Sequence, residues 1–283
     1  MDTTPRARAG SDCHEDRSKH QPEAIPVKSQ HMIGNDGVRS GEEQGSEGVP
    51  TVAAFDFDGT ITRGGSTVRF LVWVRGYFPV AFALLRNLPR LLYAMVAGGT
   101  AADRAKEALF NQLLRGLTVD QLQRAGVAFA EHHLRRQLRP EVVDRLDWHR
   151  RQGHHVVLVS ASLEYYVEPA GAMLAVDGVL GTRLVVDGSG NLTGRIDGKN
   201  CRGAEKYARV VGWLRQNGLA GTGVQQPLLW AYGNSRGDLW LLNAADRAFD
   251  TGRLGRFGRL RHFPRLRTAT RQRHGVPVAR GSA

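Results

Sequence analysis

Cysteine is nearly absent from this chain. Cys13 and Cys201 are the only two, too few for a disulfide framework, and their spacing matches no zinc site. No apolar run heads the sequence, which begins MDTTPRARAGSDCHEDRSKH. A secretory signal is therefore not expected, and a reducing cytoplasm is the simplest setting. A clean membrane span is missing too. The most apolar window, residues 68–97, is interrupted by Arg69, Arg75, Arg86 and Arg90 and by two prolines. No uncharged stretch within it approaches the roughly 20 residues a bilayer span needs. Acid is missing from residues 252–283, which carry nine arginines, whereas residues 1–50 hold six basic and nine acidic side chains. The net charge of +12 thus sits largely in one tail. It raises the prior for polyanionic partners but says little about the folded part.

The rest is ordinary for a soluble globular chain. Its 283 residues are 41% apolar and 23% charged, enough for one or two domains with a sizeable core. Residues 1–49 are rich in Gly, Ser, Glu, Asp and Gln and cannot bury enough apolar surface to offset their ordering entropy, so they are expected to stay disordered. Residues 252–283 are expected to lie loosely along the surface. Between the tails, Thr51–Phe57 is a short apolar run ending in acids and Gly59, which suits a buried strand. Residues 66–138 are helical in pattern, with breaks near Pro89, Gly98–Thr100 and Gly116. Pro140 opens a further helix that Gly153 ends, and His155–Val159 reads as a second buried strand. A helix through Leu174 follows, then a strand pair around the turn Asp187–Asn191. Cys201–Gln216 is an amphipathic helix, Leu228–Tyr232 a third buried strand, Asp238–Ala244 a short helix and Arg247–Asp250 a last strand. Short apolar strands alternating with helices predict a parallel α/β sheet. The helical block after the first strand predicts an inserted cap. The expected division is a core of residues 50–65 and 140–251, a cap of 66–139, and the two tails.

The sharpest chemical feature is Phe55-Asp56-Phe57-Asp58-Gly59-Thr60 at the end of the first strand. Beyond a strand end the backbone turns, so both carboxylates can reach one site. Paired carboxylates crowd negative charge, which calls for a cation, and Mg²⁺ is the natural hard cation for oxygen ligands. In open α/β sheets, sites lie beyond the carboxyl ends of strands. Ser160 alone would read as a strand-end cap and Lys206 as a solvated helix lysine; beside the Asp56 motif both become site candidates. The pairs His132-His133 and His154-His155 read as solvated rather than metal-binding.

These residues resemble the motifs of the haloacid dehalogenase superfamily of phosphatases. Asp56-Phe57-Asp58-Gly59-Thr60 is similar to motif I, Val156–Ser162 to motif II, Gly203-Ala204-Glu205-Lys206 to motif III, and Tyr232–Asp238 to the acidic motif IV. The helical insertion between the first two motifs resembles the branch that includes the phosphoserine phosphatases. The resemblance implies a core with a Rossmann-like parallel sheet and an inserted α-helical cap. It implies Asp56 as nucleophile forming an aspartyl-phosphate, Asp58 as general acid and base, and Ser160 and Lys206 as phosphoryl-binding groups. Gly59, Thr60 and Ala161 would line the phosphate. Asp56, Asp58, Asn234 and Asp238 would hold Mg²⁺. Motif IV departs from the family pattern, since Asn234 stands where an acid is usual, which leaves open whether Asn234 or Asp238 is the third protein ligand.

The family's phosphoserine specificity does not carry over simply. Ile61–Thr67 holds no acid to read an amine, and Lys106 and Arg115 are weak counterparts of the cap arginine. The region containing Phe70, Trp73, Tyr77, Phe78, Phe82, Leu85, Leu88, Leu92, Tyr93 and Met95 is apolar, aromatic and studded with arginines. It resembles the phosphatidylglycerophosphate phosphatases of the same branch. The expected substrate is a lipid or hydrophobic phosphomonoester, with peripheral contact to an anionic membrane at its inner face. The alternatives are a phosphoserine or other small-molecule phosphatase, and a decayed binding module. Nucleic acid is not an expected partner, because no aromatic-interleaved basic strand or recognition motif is present.

Overall fold

The computed structural model describes residues 49–220, 226–252 and 259–266. The expectation for residues 1–48, and most of that for the arginine-rich tail, lies outside them.

Five strands form one parallel sheet: β1 (Thr51–Phe55), β2 (His155–Leu163), β3 (Gly178–Thr182), β6 (Leu228–Gly233) and β7 (Arg247–Asp250), in the order β3-β2-β1-β6-β7. β1 is central, with Ala53 beside Val156 on one flank and beside Trp230 on the other. A strand buried on both faces reads as a continuous apolar run, and TVAAF is buried at every position. Its alternation divides the interior. Ala53 and Phe55 point with Val156, Leu158 and Tyr232 into one apolar cluster, and Val52 and Ala54 point with Val157, Val159 and Ala231 into another. The first cluster is covered by α6 (Pro140–Arg151) and α7 (Glu164–Met173), which supply Val142, Leu146, Val167 and Ala170. The second is covered by α8 (Ala204–Gln216) and α9 (Leu239–Ala244), through Val210, Trp213, Leu241 and Leu242. This is the expected α/β core with helices on both faces of a parallel sheet.

Between β1 and β2 lies the expected helical insertion: α1 (Thr67–Arg75), α2 (Tyr77–Arg86), α3 (Leu88–Ala97), α4 (Gly99–Leu114) and α5 (Val119–His132). Thr118 starts α5 with a reciprocal cap, its hydroxyl accepting from the Gln121 N–H while the Gln121 side chain accepts from the Thr118 N–H. A hairpin of β4 (Leu184–Val186) and β5 (Leu192–Ile196) joins this layer, where the Ile196 N–H donates to Glu107 Oε1 on α4 at 3.0 Å. Gly194 permits the close approach: a Cβ there would lie 2.4 Å from the Asn111 Cα.

The sequence reading misses three features. Gly76, at φ +82°, ends α1 and adds a break between two helices. The edge strand β3 is hidden because GVLGT carries two glycines, poor strand formers. Gly178 is needed there, since a Cβ would lie 2.5 Å from the Trp213 indole nitrogen. α8 begins at Ala204 rather than Cys201 because Gly203, at φ +62°, turns the chain just before it. Beyond β7, residues 259–266 return along the sheet edge, where the Leu266 N–H donates to the Asp250 carbonyl at 3.2 Å.

Candidate active site

β1 delivers Asp56 at its carboxyl end, where its N–H still bonds the Tyr232 carbonyl of β6 at 2.9 Å. Asp56 is buried, and its Oδ1 accepts from Lys206 Nζ at 2.5 Å. The chain then folds into a tight turn over Phe57–Ile61, closed by the Thr62 N–H on the Phe57 carbonyl at 3.0 Å. Phe57 is buried and anchors that turn. Asp58 therefore leaves the strand direction: its Oδ1 accepts from the Ser66 N–H at 3.0 Å and its Oδ2 from the Ser162 hydroxyl at 2.6 Å. Gly59 occupies φ +80°, and a Cβ there would lie 2.0 Å from Asn234 Nδ2. The motif I glycine is thus both a turn residue and the floor on which Asn234 rests.

The other motifs converge on the same edge of the sheet. Lys206 sits in the first turn of α8 and is almost fully buried. It bridges Asp56 and Asp238, reaching Asp238 Oδ1 at 2.6 Å. Asp238 Oδ2 accepts from the Asn234 N–H at 3.1 Å, the Ser235 N–H at 2.9 Å and the Ser235 hydroxyl at 2.8 Å. Both of its oxygens are thus engaged. Ser160 is buried at the carboxyl end of β2 and accepts from the Ser162 N–H at 3.0 Å. The Ala161 carbonyl accepts from Thr182 Oγ1 at 2.8 Å and from Lys106 Nζ. Thr60 is buried with its hydroxyl bonded to Thr251 Oγ1 at 3.1 Å, so that hydroxyl is tied to the fold.

Charge shapes this centre. Burial first, then repulsion from Asp238, pushes the Asp56 carboxyl up to about 7, against the pull of Lys206. Burial alone would lower the Lys206 ammonium, but Asp238 and Asp56 hold it above the ordinary lysine value. Burial would likewise raise Asp238; Lys206 and the Ser235 bonds overcome it and keep that carboxyl low. Two buried oxygens, Asp56 Oδ2 and Asn234 Oδ1, have no hydrogen-bond partner among the described residues. Buried polar atoms are normally satisfied. Orphaned oxygens beside crowded carboxylates and a single ammonium are what a hard divalent cation would complete, so the donor set fits Mg²⁺. Among the described residues no three Asp, Glu, His or Cys side chains form a metal-binding group; the Asp58 carboxylate is engaged by Ser66 and Ser162, and that of Asp238 by Lys206, Asn234 and Ser235.

The sequence reading gave several neighbours no firm role. Ser162 lies two residues from Ser160 on one strand, a spacing that shares a face and could have flagged it. Arg139, just before Pro140, is buried and donates from one guanidinium nitrogen to the Gly59 and Thr251 carbonyls, both at 2.7 Å. Lys106 crosses from α4 to the Ala161 carbonyl and to Asn200 Oδ1 at 3.1 Å. Burial lowers its ammonium to about 8, although Asp58 and Asp103 pull the other way.

Of the four histidines expected in solvent, only His132 is exposed. His133 stacks on Phe129 with ring centroids 4.9 Å apart, and His155 packs edge-on to Trp213. His154 bonds the buried His149, nitrogen to nitrogen, at 2.8 Å.

Comparison with known proteins agrees with this geometry. The family of haloacid dehalogenase-like hydrolases matches residues 53–243. Protein CicA of Caulobacter vibrioides (strain NA1000 / CB15N) is 37% identical over 204 residues, which cover 72% of this chain and 86% of that protein. The inhibition of morphological differentiation protein of Streptomyces azureus is 30% identical over 152 residues, 52% of this chain and 54% of its own. Among solved structures, a protein of unknown function from Bordetella pertussis Tohama I superposes with a TM-score of 0.60 at 25% identity, covering 72% of this chain and 90% of that one. A substrate-bound phosphoserine phosphatase superposes with a TM-score of 0.51 at 16% identity, covering 71% and 86%, a likeness of fold. The chain belongs to the family of haloacid dehalogenase-like hydrolases.

Proposed function

We propose that the protein is a Mg²⁺-dependent phosphatase that hydrolyses a phosphomonoester through an aspartyl-phosphate on Asp56. One observation carries this reading. Asp56 is a buried carboxylate with one oxygen clamped by Lys206 and the other unpaired, the arrangement a nucleophile needs. One Asp56 carboxylate oxygen attacks phosphorus while the other stays available to the cation, and the bond from phosphorus to the ester oxygen breaks. Asp58 gives its proton to that leaving oxygen, then takes a proton from the water that attacks the phospho-enzyme. That second displacement releases inorganic phosphate and restores Asp56. The Ser160 hydroxyl and the Lys206 ammonium hold the phosphoryl oxygens, and positioning and charge supply most of the rate.

Mg²⁺ would be held by Asp56, by the Asp58 backbone carbonyl and by Asn234, where it neutralises phosphoryl charge. The unpaired Asn234 Oδ1 favours Asn234 as the third protein ligand. Asp238, with both oxygens engaged, acts through Lys206 or through a water. Gly59, Thr60 and Ala161 contribute backbone to the phosphate cradle.

The substrate is a lipid or other hydrophobic phosphomonoester. No acid lies between Asp58 and Asp103 to recognise an amine, and the insertion exposes a large apolar surface. Phosphate release from a panel of phosphoserine, sugar phosphates, nucleotides, an aryl phosphate and phosphatidylglycerophosphate tests both parts. Turnover that needs Mg²⁺ and disappears in Asp56→Asn is expected, with the lipid phosphate preferred. Turnover retained by Asp56→Asn would overturn the chemistry, and preference for phosphoserine would overturn the substrate class. Silence on every substrate would mean a binding module.

A further inference from the structure

The helices α2 and α3 are built inside out. The side chains they bury are Val80 and Ala83 on the first and Ala94 on the second. Most of their large apolar side chains face outward, namely Tyr77, Phe78, Phe82 and Leu85 on α2 and Leu92, Tyr93, Met95 and Val96 on α3, while Leu84 and Leu91 pack partly on the core. Phe78 is 83% exposed, Met95 81% and Val96 89%. Residues 78, 82 and 85 share one face of α2, and 88, 92, 95 and 96 share one face of α3. The area is on the order of 1,000 Å², well above the largest apolar patch of a typical monomer. A surface of this kind has an occupant.

Charge identifies the occupant. From Gly59 through Ala102 the chain has five arginines and no acid. All five, Arg63, Arg69, Arg75, Arg86 and Arg90, are exposed. A second copy of the chain would be a poor partner, since a two-fold contact would set this cationic rim against itself. An anionic bilayer offers apolar depth and negative head groups together.

Geometry sets the mode. No single helix among the described residues is long and apolar enough to cross a membrane, and α2 and α3 meet at a bend of 66°. Each helix of ten residues is about 15 Å long, half of the ~30 Å hydrocarbon layer. Threading the pair across would bury Arg86 and Arg90 at mid-depth, a costly position.

We propose that the outer faces of α2 and α3 form a docking surface that lies flat in the head-group layer of an anionic phospholipid bilayer. α4 begins two residues after α3 ends. Lys106, seven residues into α4, is about 10 Å along that helix axis from its start and touches the Ala161 carbonyl. The docked face therefore adjoins the side of the insertion that reaches the site.

The test is vesicle flotation of the full chain, which needs no enzymatic activity and so stands apart from the phosphatase reading. The chain should float with phosphatidylcholine vesicles doped with phosphatidylglycerol, less with phosphatidylcholine alone, and less as salt rises. The triple variant Phe78→Ser, Met95→Ser, Val96→Ser should lower binding roughly tenfold or more with its circular dichroism unchanged. Arg86→Gln with Arg90→Gln should flatten the salt dependence. Undiminished flotation of the triple variant would place the attraction in the arginine-rich tail and overturn the proposal. So would failure to float, or a dimer in sedimentation that the triple variant dissociates.

Discussion

Replacing His149 exposes two opposed pH terms in the stability of the metal-free protein. His149 is buried between α6 and the sheet, against Phe55, Trp230 and Tyr232. A chain of hydrogen bonds fixes it: Arg145 Nε donates to the Tyr232 hydroxyl at 2.8 Å, that hydroxyl meets His149 Nε2 at 2.9 Å, and His149 Nδ1 meets His154 Nδ1 at 2.8 Å. With the Tyr232 proton directed at Nε2, the ring is the neutral tautomer that donates from Nδ1. Burial first, then Arg145 and His154, lowers its pKa to about 3.

Because the folded value is depressed, the unfolded chain takes up a proton below about pH 6.5 that the folded chain refuses until about pH 3. This contribution to stability is complete above about pH 6.5 and is lost as pH falls, by about 1.4 kcal/mol per pH unit in between. Asp56 acts in the opposite sense. Its folded value, raised to about 7, gives stability that is full below the unfolded value near 4 and is lost as pH rises towards 7. The two slopes oppose each other between pH 4.5 and 6.5. His149→Gln removes one term. Whatever its constant penalty, the wild-type advantage should shrink by about 2–3 kcal/mol between pH 6.5 and 4.5. Urea unfolding at several pH values in chelator reads that difference directly. A difference independent of pH would mean that His149 titrates alike in both states, and the reasoning would fail.

Three further outcomes follow from the site. Lys206→Met leaves the buried carboxylates of Asp56 and Asp238 without their shared ammonium, and chemical denaturation should show a loss of about 3–5 kcal/mol; a loss below about 1 kcal/mol would mean the pair is solvated. Asn234→Asp adds a fourth carboxylate, so the metal-free melting temperature should fall while the Mg²⁺ concentration for half-maximal thermal stabilisation falls about tenfold. Gly59→Ala combines a left-handed φ of +80° with a Cβ 2.0 Å from Asn234 Nδ2. It should cost about 1–2 kcal/mol and weaken Mg²⁺ binding by displacing that amide, and unchanged metal titration would separate Asn234 from the metal.

The elements most legible in the sequence are those where local signals agree. Arg247–Asp250 and the Pro140 helix start fall where pattern and capping place them, and the residues of all four motifs surround the end of one sheet. Legibility fails where a tertiary contact chooses the residue. Gly178 reads as a strand breaker because the reason for it, the Trp213 ring, is 35 positions away. Lys106 reads as one of two weak cap cations until α4 carries it to the Ala161 carbonyl. His149 drew no notice, while its partner His154 read as solvated, because a histidine bonded to a histidine five residues away has no pattern of its own. The insertion is the most instructive failure. Periodicity tells which face of a helix is buried only when the other face is polar, and α2 and α3 are apolar on both. The sequence therefore predicts the helices without saying which side chains go in. Packing decides it, turning Val80, Ala83 and Ala94 inward with Leu84 and Leu91 partly covered, and leaving Phe78 and Met95 outside. A cap whose only task was to pack on itself would place its bulk the other way round.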